Sequence, residues 1–258
     1  MWYVLVAVVI AAVAVCYDRE VVRAMANSRA LSYVLIPAYS AVYGVRASAG
    51  DYEEGYRSTL QKFFNRGFRD LDRHRPLAAS VFISSPSDGS VTRCSASADI
   101  QVKGAPLVNV SRCEAARNIN IADNQQTVVI YLAPSDYHRT YWPCSGTIGA
   151  ITAAEGRGRL LMGAVDPGAY RENYRLYYSI NTAHGAVVCV LVGSVYINSV
   201  DALGHQVGDS VARGAPMANF ELGGSTIVLF IPPGAPVRDM PATVRARVTA
   251  IADPPLRV

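Results

Sequence analysis

Near its C-terminal end the chain reads Phe220-Glu221-Leu222-Gly223-Gly224-Ser225-Thr226-Ile227-Val228-Leu229-Phe230, two glycines and a hydroxyl pair set directly before an apolar, β-branched run. This order predicts a tight turn feeding a buried strand. Gly224 carries no Cβ, so its carbonyl is open to close approach by Ser225 Oγ, the steric condition for an N-to-O acyl shift at the Gly224–Ser225 bond. Elimination from the resulting ester and hydrolysis of the dehydroalanine would leave a pyruvoyl group. Such a ketone condenses with an amine and accepts electrons as pyridoxal phosphate does. Read alone, the same residues also fit an ordinary turn before a strand.

A serine used in this way needs a base, a group that orients the base, and donors for the oxyanion. The chain has four histidines. His74 lies among Asp72, Arg73 and Arg75 and reads as solvated surface. His205 falls in a Gly/Asp-rich loop, and His184 precedes Gly185 at the start of a strand. His138, within Asp136-Tyr137-His138-Arg139, is the candidate. The pair Asp88-Gly89 reads, from its residues, as a hairpin turn. The five cysteines, Cys16, Cys94, Cys113, Cys144 and Cys189, are odd in number, widely spaced and without a C-x-x-C pair. They indicate neither a zinc site nor a disulfide framework, and read as small buried apolar residues in a reducing compartment. There is no phosphate loop or metal-ligand cluster, so neither a metal nor pyridoxal phosphate is expected.

A second segment, Tyr131-Leu132-Ala133-Pro134-Ser135-Asp136-Tyr137-His138-Arg139-Thr140-Tyr141-Trp142-Pro143-Cys144-Ser145-Gly146, combines with the Gly223–Thr226 turn to resemble the phosphatidylserine decarboxylases. Further similarity lies in Phe63-Phe64-Asn65-Arg66 with Arg75-Pro76, in Ser85-Pro86-Ser87-Asp88-Gly89, in Val102-Lys103-Gly104, in Asn173-Tyr174-Arg175 and in Val192-Gly193-Ser194. The resemblance runs from residue 52 to residue 232. It implies self-cleavage between Gly224 and Ser225, a covalent pyruvoyl cofactor made from Ser225, conversion of phosphatidylserine to phosphatidylethanolamine, and a homodimer. It also implies a processing triad of which Asp88 and Ser225 are the first and last members. The family's run carries two histidines three residues apart. His138 matches the first, suited to holding the substrate carboxylate or reprotonating the carbon, and Tyr141 replaces the second. A phenol with a pKa near 10 is a poor base at neutral pH, so processing would fall to His138, to a rearranged His184, or be lost. The rival expectation is therefore an unprocessed, inactive relative that serves as a membrane-bound structural or lipid-binding protein. Cys144, inside the matching run, is placed to line the pocket.

These residues need a scaffold. A chain of 258 residues, 51% hydrophobic and 17% charged, suits one sizeable folded domain. From Ala78 onward short apolar runs are broken by Gly, Pro, Asp and Asn, which predicts an α+β fold: a β-rich body of antiparallel sheets behind N-terminal helices, one of them transmembrane. Residues 51–258 are assigned to the decarboxylase-like domain. Residues 1–17 carry no charged side chain and as a helix would reach ~25 Å, at the short end for a bilayer span. A cleaved signal peptide is the competitor, but its basic n-region is missing, which favours an uncleaved anchor. Arg19, Arg23 and Arg29 behind it place the body on the cytoplasmic side. Residues 18–50 are expected to be membrane-associated helix, the Ala30–Ala47 stretch with Tyr33, Tyr39, Tyr43 and Pro37 being interfacial or core-packed. Asp51 to Arg69 reads as a polar helix with Tyr56, Leu60, Phe63, Phe64 and Phe68 on one face. The net charge of +4, without a Lys/Arg run, suits an anionic phospholipid membrane surface, and no nucleic-acid motif is present.

Overall fold

The computed structural model describes residues 19–48, 50–95, 99–100, 108–109, 119, 121–122, 124–156, 172–193, 200–222 and 225–254. Helices α1 (Arg19–Asn27) and α2 (Arg29–Tyr43) meet at Ser28. The Ser28 hydroxyl accepts the Leu31 N–H at 3.3 Å, and Gly44, at φ 65°, ends α2 in the left-handed conformation that glycine adopts without strain. One face of α2 is buried through Ser32, Leu35, Ile36 and Ala38. Its other face is bare: Leu31, Val34, Val42 and Tyr43 are exposed and Tyr33 is 88% exposed. Residues 1–17, expected to cross a membrane, lie outside the described residues. Among the described residues no helix is long and apolar enough to span one, so the transmembrane part of the expected architecture has no support there.

The helix expected from Asp51 to Arg69 is largely absent. Only α3 (Leu60–Phe64) forms, started by Thr59 Oγ1 accepting the Lys62 N–H at 3.2 Å, and α4 (Leu71–His74) follows it. Gly55 at φ 76° breaks the earlier part, and Tyr52 and Phe68 instead form an antiparallel bridge. The aromatic pattern came from burial rather than from one helical face. Tyr52, Tyr56 and Phe63 pack with Leu35, Ile36, Val45 and Leu60 in a satellite core between α2 and α3.

The body is antiparallel β. Short strands β1 (Ile83–Ser84), β3 (Asp99–Ile100), β4 (Val108–Asn109), β6 (Arg139–Tyr141), β10 (Val200–Asp201), β12 (Pro216–Phe220) and β15 (Ala250–Ala252) make small sheets. The main sheet holds β2 (Gly89–Ser95), β5 (Gln126–Tyr131), β7 (Gly146–Ala154), β8 (Arg175–Thr182), β9 (Gly185–Val192), β11 (Ser210–Val211), β13 (Thr226–Ile231) and β14 (Thr243–Val244), in the order β11-β7-β8-β9-β13-β5-β2-β14. The apolar run after Ser225 becomes β13, paired with β9 on one side and β5 on the other, and all six of its residues are buried. Its alternation serves two faces. Ile227, Leu229 and Ile231 enter the main core with Val128, Ile130, Cys189 and Leu191, while Val228 and Phe230 join Tyr177, Val188 and Val190 opposite. A strand apolar at every position requires both faces to be covered, which explains why this stretch reads as a continuous hydrophobic run. Each such side chain contributes about 1.5–3 kcal/mol when fully buried.

Candidate active site

Strand register brings the scattered sequence signals to one end of the main sheet. Tyr131, the last residue of β5, faces Ser90 on one side and Thr226 on the other. Thr226 also faces Val192, which faces Arg175. The starts of β2 and β13, the end of β9 and the loop leaving β5 therefore share an edge. With strands ~4.8 Å apart, Ser90 and Thr226 lie about 10 Å from each other. Gly89 is required here, because a Cβ on it would come within 2.5 Å of the Tyr131 carbonyl oxygen. Asn173 and Gly193 join the same edge through a hydrogen bond of 2.8 Å from the Asn173 amide to the Gly193 carbonyl.

Ser225 is 2% exposed. Its carbonyl accepts the Leu132 N–H at 3.1 Å, but among the described residues its buried Oγ has no hydrogen-bond partner, and neither has the buried Thr226 Oγ1. Buried hydroxyls without partners are uncommon and cost stability. Gly223 and Gly224 lie outside the described residues. The segment leading to them is braced by Gln61 on α3, whose Oε1 accepts the Leu222 N–H at 2.9 Å and whose Nε2 donates to the Phe220 carbonyl at 3.4 Å. Glu221 forms an ion pair with Arg23 of α1.

His138 is buried in the loop between β5 and β6, its ring centroid 3.9 Å from that of Phe64. Its Nδ1 lies 2.9 Å from the Asp136 carbonyl oxygen. A carbonyl only accepts, so Nδ1 carries the proton and Nε2 keeps the lone pair. Burial pushes the ring's pKa down to about 3 against the raising effect of the Asp136 carbonyl, so the imidazole is neutral at neutral pH. The loop is fixed from within by Asp136 Oδ2 accepting the Ala133 N–H at 2.7 Å, and from outside by Tyr39 of α2, whose hydroxyl donates to the Pro134 carbonyl at 2.5 Å.

Asp88 and Tyr141 meet different partners from those a serine–histidine relay needs. The Asp88 carboxylate takes Arg75 Nε and Nη2 at 3.1 and 2.5 Å, together with the Ala246 N–H at 2.8 Å. The Tyr141 hydroxyl lies 2.7 Å from that of Tyr137. Arg75 joins the two pairs by lying over the Tyr137 ring at 5.5 Å, and Arg247 lies 5.9 Å from the Tyr141 ring. Burial raises the pKa of both phenols, so neither is a base at neutral pH. Arg75 and Tyr137 as the partners of Asp88 and Tyr141 were not foreseen from the sequence, although both lie in or beside matching segments.

The other histidines stand elsewhere. His184 is at the β8–β9 turn, the far end of β9 from the Val192–Thr226 pair; eight strand residues span about 25 Å, which removes it as a base for Ser225. His205 packs edge-on against Trp142, and His74 stacks on Phe68. Cys144 is wholly buried in the main core, and burial pushes its thiol up to about 12. Among the described residues no group of His, Cys, Asp or Glu is placed to hold a metal ion.

The profile of the phosphatidylserine decarboxylase family matches residues 60–250, a span that takes in all of this edge. The chain belongs to the phosphatidylserine decarboxylase family. A phosphatidylserine decarboxylase proenzyme of Delftia acidovorans is 28% identical over 243 residues, covering 83% of each chain. One from Bacillus thuringiensis is 28% identical over 223 residues, covering 83% of this chain and 82% of its own. A third, from Methylococcus capsulatus, is 28% identical over 179 residues, 58% of this chain and 60% of its own.

Proposed function

We propose that the protein is a pyruvoyl-dependent decarboxylase that converts phosphatidylserine to phosphatidylethanolamine after cleaving itself between Gly224 and Ser225. The observation that carries this reading is the buried Ser225 Oγ at the head of the central strand β13, without a hydrogen-bond partner among the described residues, in a chain of this family. A hydroxyl held in that state, with a glycine carbonyl next in the chain, suits attack on the preceding peptide bond and suits Ser225 as the source of the pyruvoyl group. That group supplies a ketone that takes up the substrate amine and draws electrons from it. His138 is the chain's proton handler. Nε2 carries its lone pair because Nδ1 is committed to the Asp136 carbonyl, and the ring is fixed against Phe64. A base with so low a pKa gives slow self-cleavage. Residues 1–17 act as a membrane anchor, the bare face of α2 lies against the same lipid surface, the body stands on the cytoplasmic side, and the assembly is a homodimer.

A second reading is favoured by one observation. Asp88 is occupied by Arg75 and Tyr141 by Tyr137, so a base-orienting acid is missing and the chain stays whole, as a membrane-bound lipid-binding or structural protein. Denaturing gels and intact mass separate the two. Cleavage gives residues 1–224 and a blocked fragment of 258 − 224 = 34 residues that reacts with carbonyl reagents, and phosphatidylserine is then turned over. Full-length mass alone, unaltered by Ser225→Ala and unreactive toward those reagents, would falsify the enzymatic reading.

A further inference from the structure

Arg66 follows α3 and is 5% exposed. Among the described residues its Nη1 and Nη2 donate only to main-chain carbonyls, those of Phe63 at 3.2 Å and Ser135 at 3.4 Å, and its buried Nε–H has no acceptor. Two other buried arginines are neutralised: Arg75 pairs with Asp88, and Arg247 with Asp72. The Asp136 carboxylate feels the charge of Arg66 but spends an oxygen on the Ala133 N–H, and among the described residues no carboxylate forms an ion pair with Arg66. The guanidinium is instead walled by the Tyr52 and Phe63 rings at 5.4 and 5.5 Å. Taking a charge out of water without a counter-charge costs several kcal/mol, and carbonyl dipoles with ring faces offset only part of that. A tie between α3 and the loop at Ser135 could be made by a neutral amide. The positive charge and the spare Nε–H are surplus to that role.

Arg66 lies beside the proton-handling loop. Ser135, whose carbonyl it holds, is three residues before His138, and Phe64, two residues before Arg66, packs its ring on the His138 imidazole. We propose that Arg66 is the receptor for the phosphodiester of the lipid headgroup, its Nε–H supplying a hydrogen bond and its unpaired cation the counter-charge. This rests on the proposed function for the choice of lipid. The phospholipid substrate carries two anions, and both fit a guanidinium fork. The phosphodiester is the one consistent with catalysis. Its charge persists through the reaction, whereas a cation on the carboxylate would stabilise the ground state more than a transition state from which that charge is leaving.

The test uses the full chain carrying Ser225→Ala, which is neither cleaved nor able to consume lipid. Calorimetry would compare dihexanoyl phosphatidylserine and dihexanoyl phosphatidylethanolamine on this protein and on the same protein with Arg66→Gln or Arg66→Lys. Binding of both lipids should weaken by about tenfold or more in Arg66→Gln and lose its salt dependence, with Arg66→Lys intermediate and still salt-sensitive. Weakening confined to the serine lipid would assign Arg66 to the carboxylate and overturn the proposal. So would unchanged affinity for both, or no binding by the Ser225→Ala parent. Should Arg66→Gln fail to fold, the folded Arg66→Lys protein decides alone, since it keeps charge but loses the Nε–H fork; full affinity there sinks the idea. If lipid binding depends on Arg66 while the natural chain is never cleaved, the enzymatic reading falls and this inference stands.

Discussion

At the scale of single residues the site turns on which neighbour each polar group has taken. Tyr141 and Asp88 are satisfied elsewhere, by Tyr137 and by Arg75, so His138 is left as the imidazole on the loop that leaves β5 where Leu132 bonds Ser225. His138→Ala should lower decarboxylation by about 10²-fold or more in protein that already carries its pyruvoyl group; wild-type turnover would assign the ring to packing. The same histidine makes stability depend on pH. Its folded pKa, about 3, lies below the unfolded value near 6.5, so between those limits the unfolded chain binds the extra proton. Stability should therefore fall as pH drops below about 6.5, by up to about 1.4 kcal/mol per pH unit. Asp136, raised by burial, acts with the opposite sign. The difference between wild type and His138→Gln, measured by urea denaturation at pH 7 and pH 5, isolates the histidine; parallel losses in both proteins would refute its burial as a neutral ring. Tyr141→His, by contrast, should speed cleavage of the Gly224–Ser225 bond, read as the cleaved fraction against time, and the gain should be limited by the hold of Arg75 on Asp88.

At the scale of elements, the edge depends on three strands reaching it in register. Gly89 lets β2 come close to Tyr131, and a methyl group there would meet the Tyr131 carbonyl at 2.5 Å. Backbone cannot yield as a flexible side chain does, so Gly89→Ala should cost more than about 2 kcal/mol and displace Asp88. Denaturant midpoints would measure this, with Gly204→Ala as a comparison: Gly204 also has positive φ, but an added Cβ would meet nothing within 4 Å. Equal losses in the two variants would mean that backbone conformation, and not the close approach to β5, is what Gly89 provides. Helix α3 works differently. It buries Leu60, Phe63 and Phe64, and through Gln61 it also holds both sides of Glu221 in the segment that enters the cleavage turn.

For the whole molecule, cleavage would cut the chain immediately before a strand buried at all six of its residues. The 34-residue fragment would begin with β13, which is bonded to β5 and β9 along nearly its whole length and buried on both faces. The two pieces should co-elute under native conditions and separate only in denaturant, a result that size exclusion followed by a denaturing gel would check. Deleting residues 1–17 should shift the protein from membranes toward the soluble or salt-extractable fraction. If it does not, the bare face of α2, with Tyr33 88% exposed, becomes the element that holds it to lipid.

Local pattern alone was enough for the strand after Ser225 and for the β-rich body, because a buried strand leaves its signature in consecutive residues; the matching segments were legible as a family resemblance. The same pattern misled over Asp51 to Arg69, where one-sided aromatics reflect packing against α2 and Gly55 breaks the helix. Partner choice was beyond it. Arg75 lies 13 residues from Asp88, Gln61 lies 161 from Leu222, and Tyr39 lies 95 from Pro134. Hydrogen bonds across such separations are decided by sheet register and loop closure, not by neighbouring residue types. The chemistry of His138 was settled in the same way: its type was visible in the chain, but its tautomer and low pKa came only when folding placed the Asp136 carbonyl at Nδ1 and Phe64 against the ring, out of reach of water.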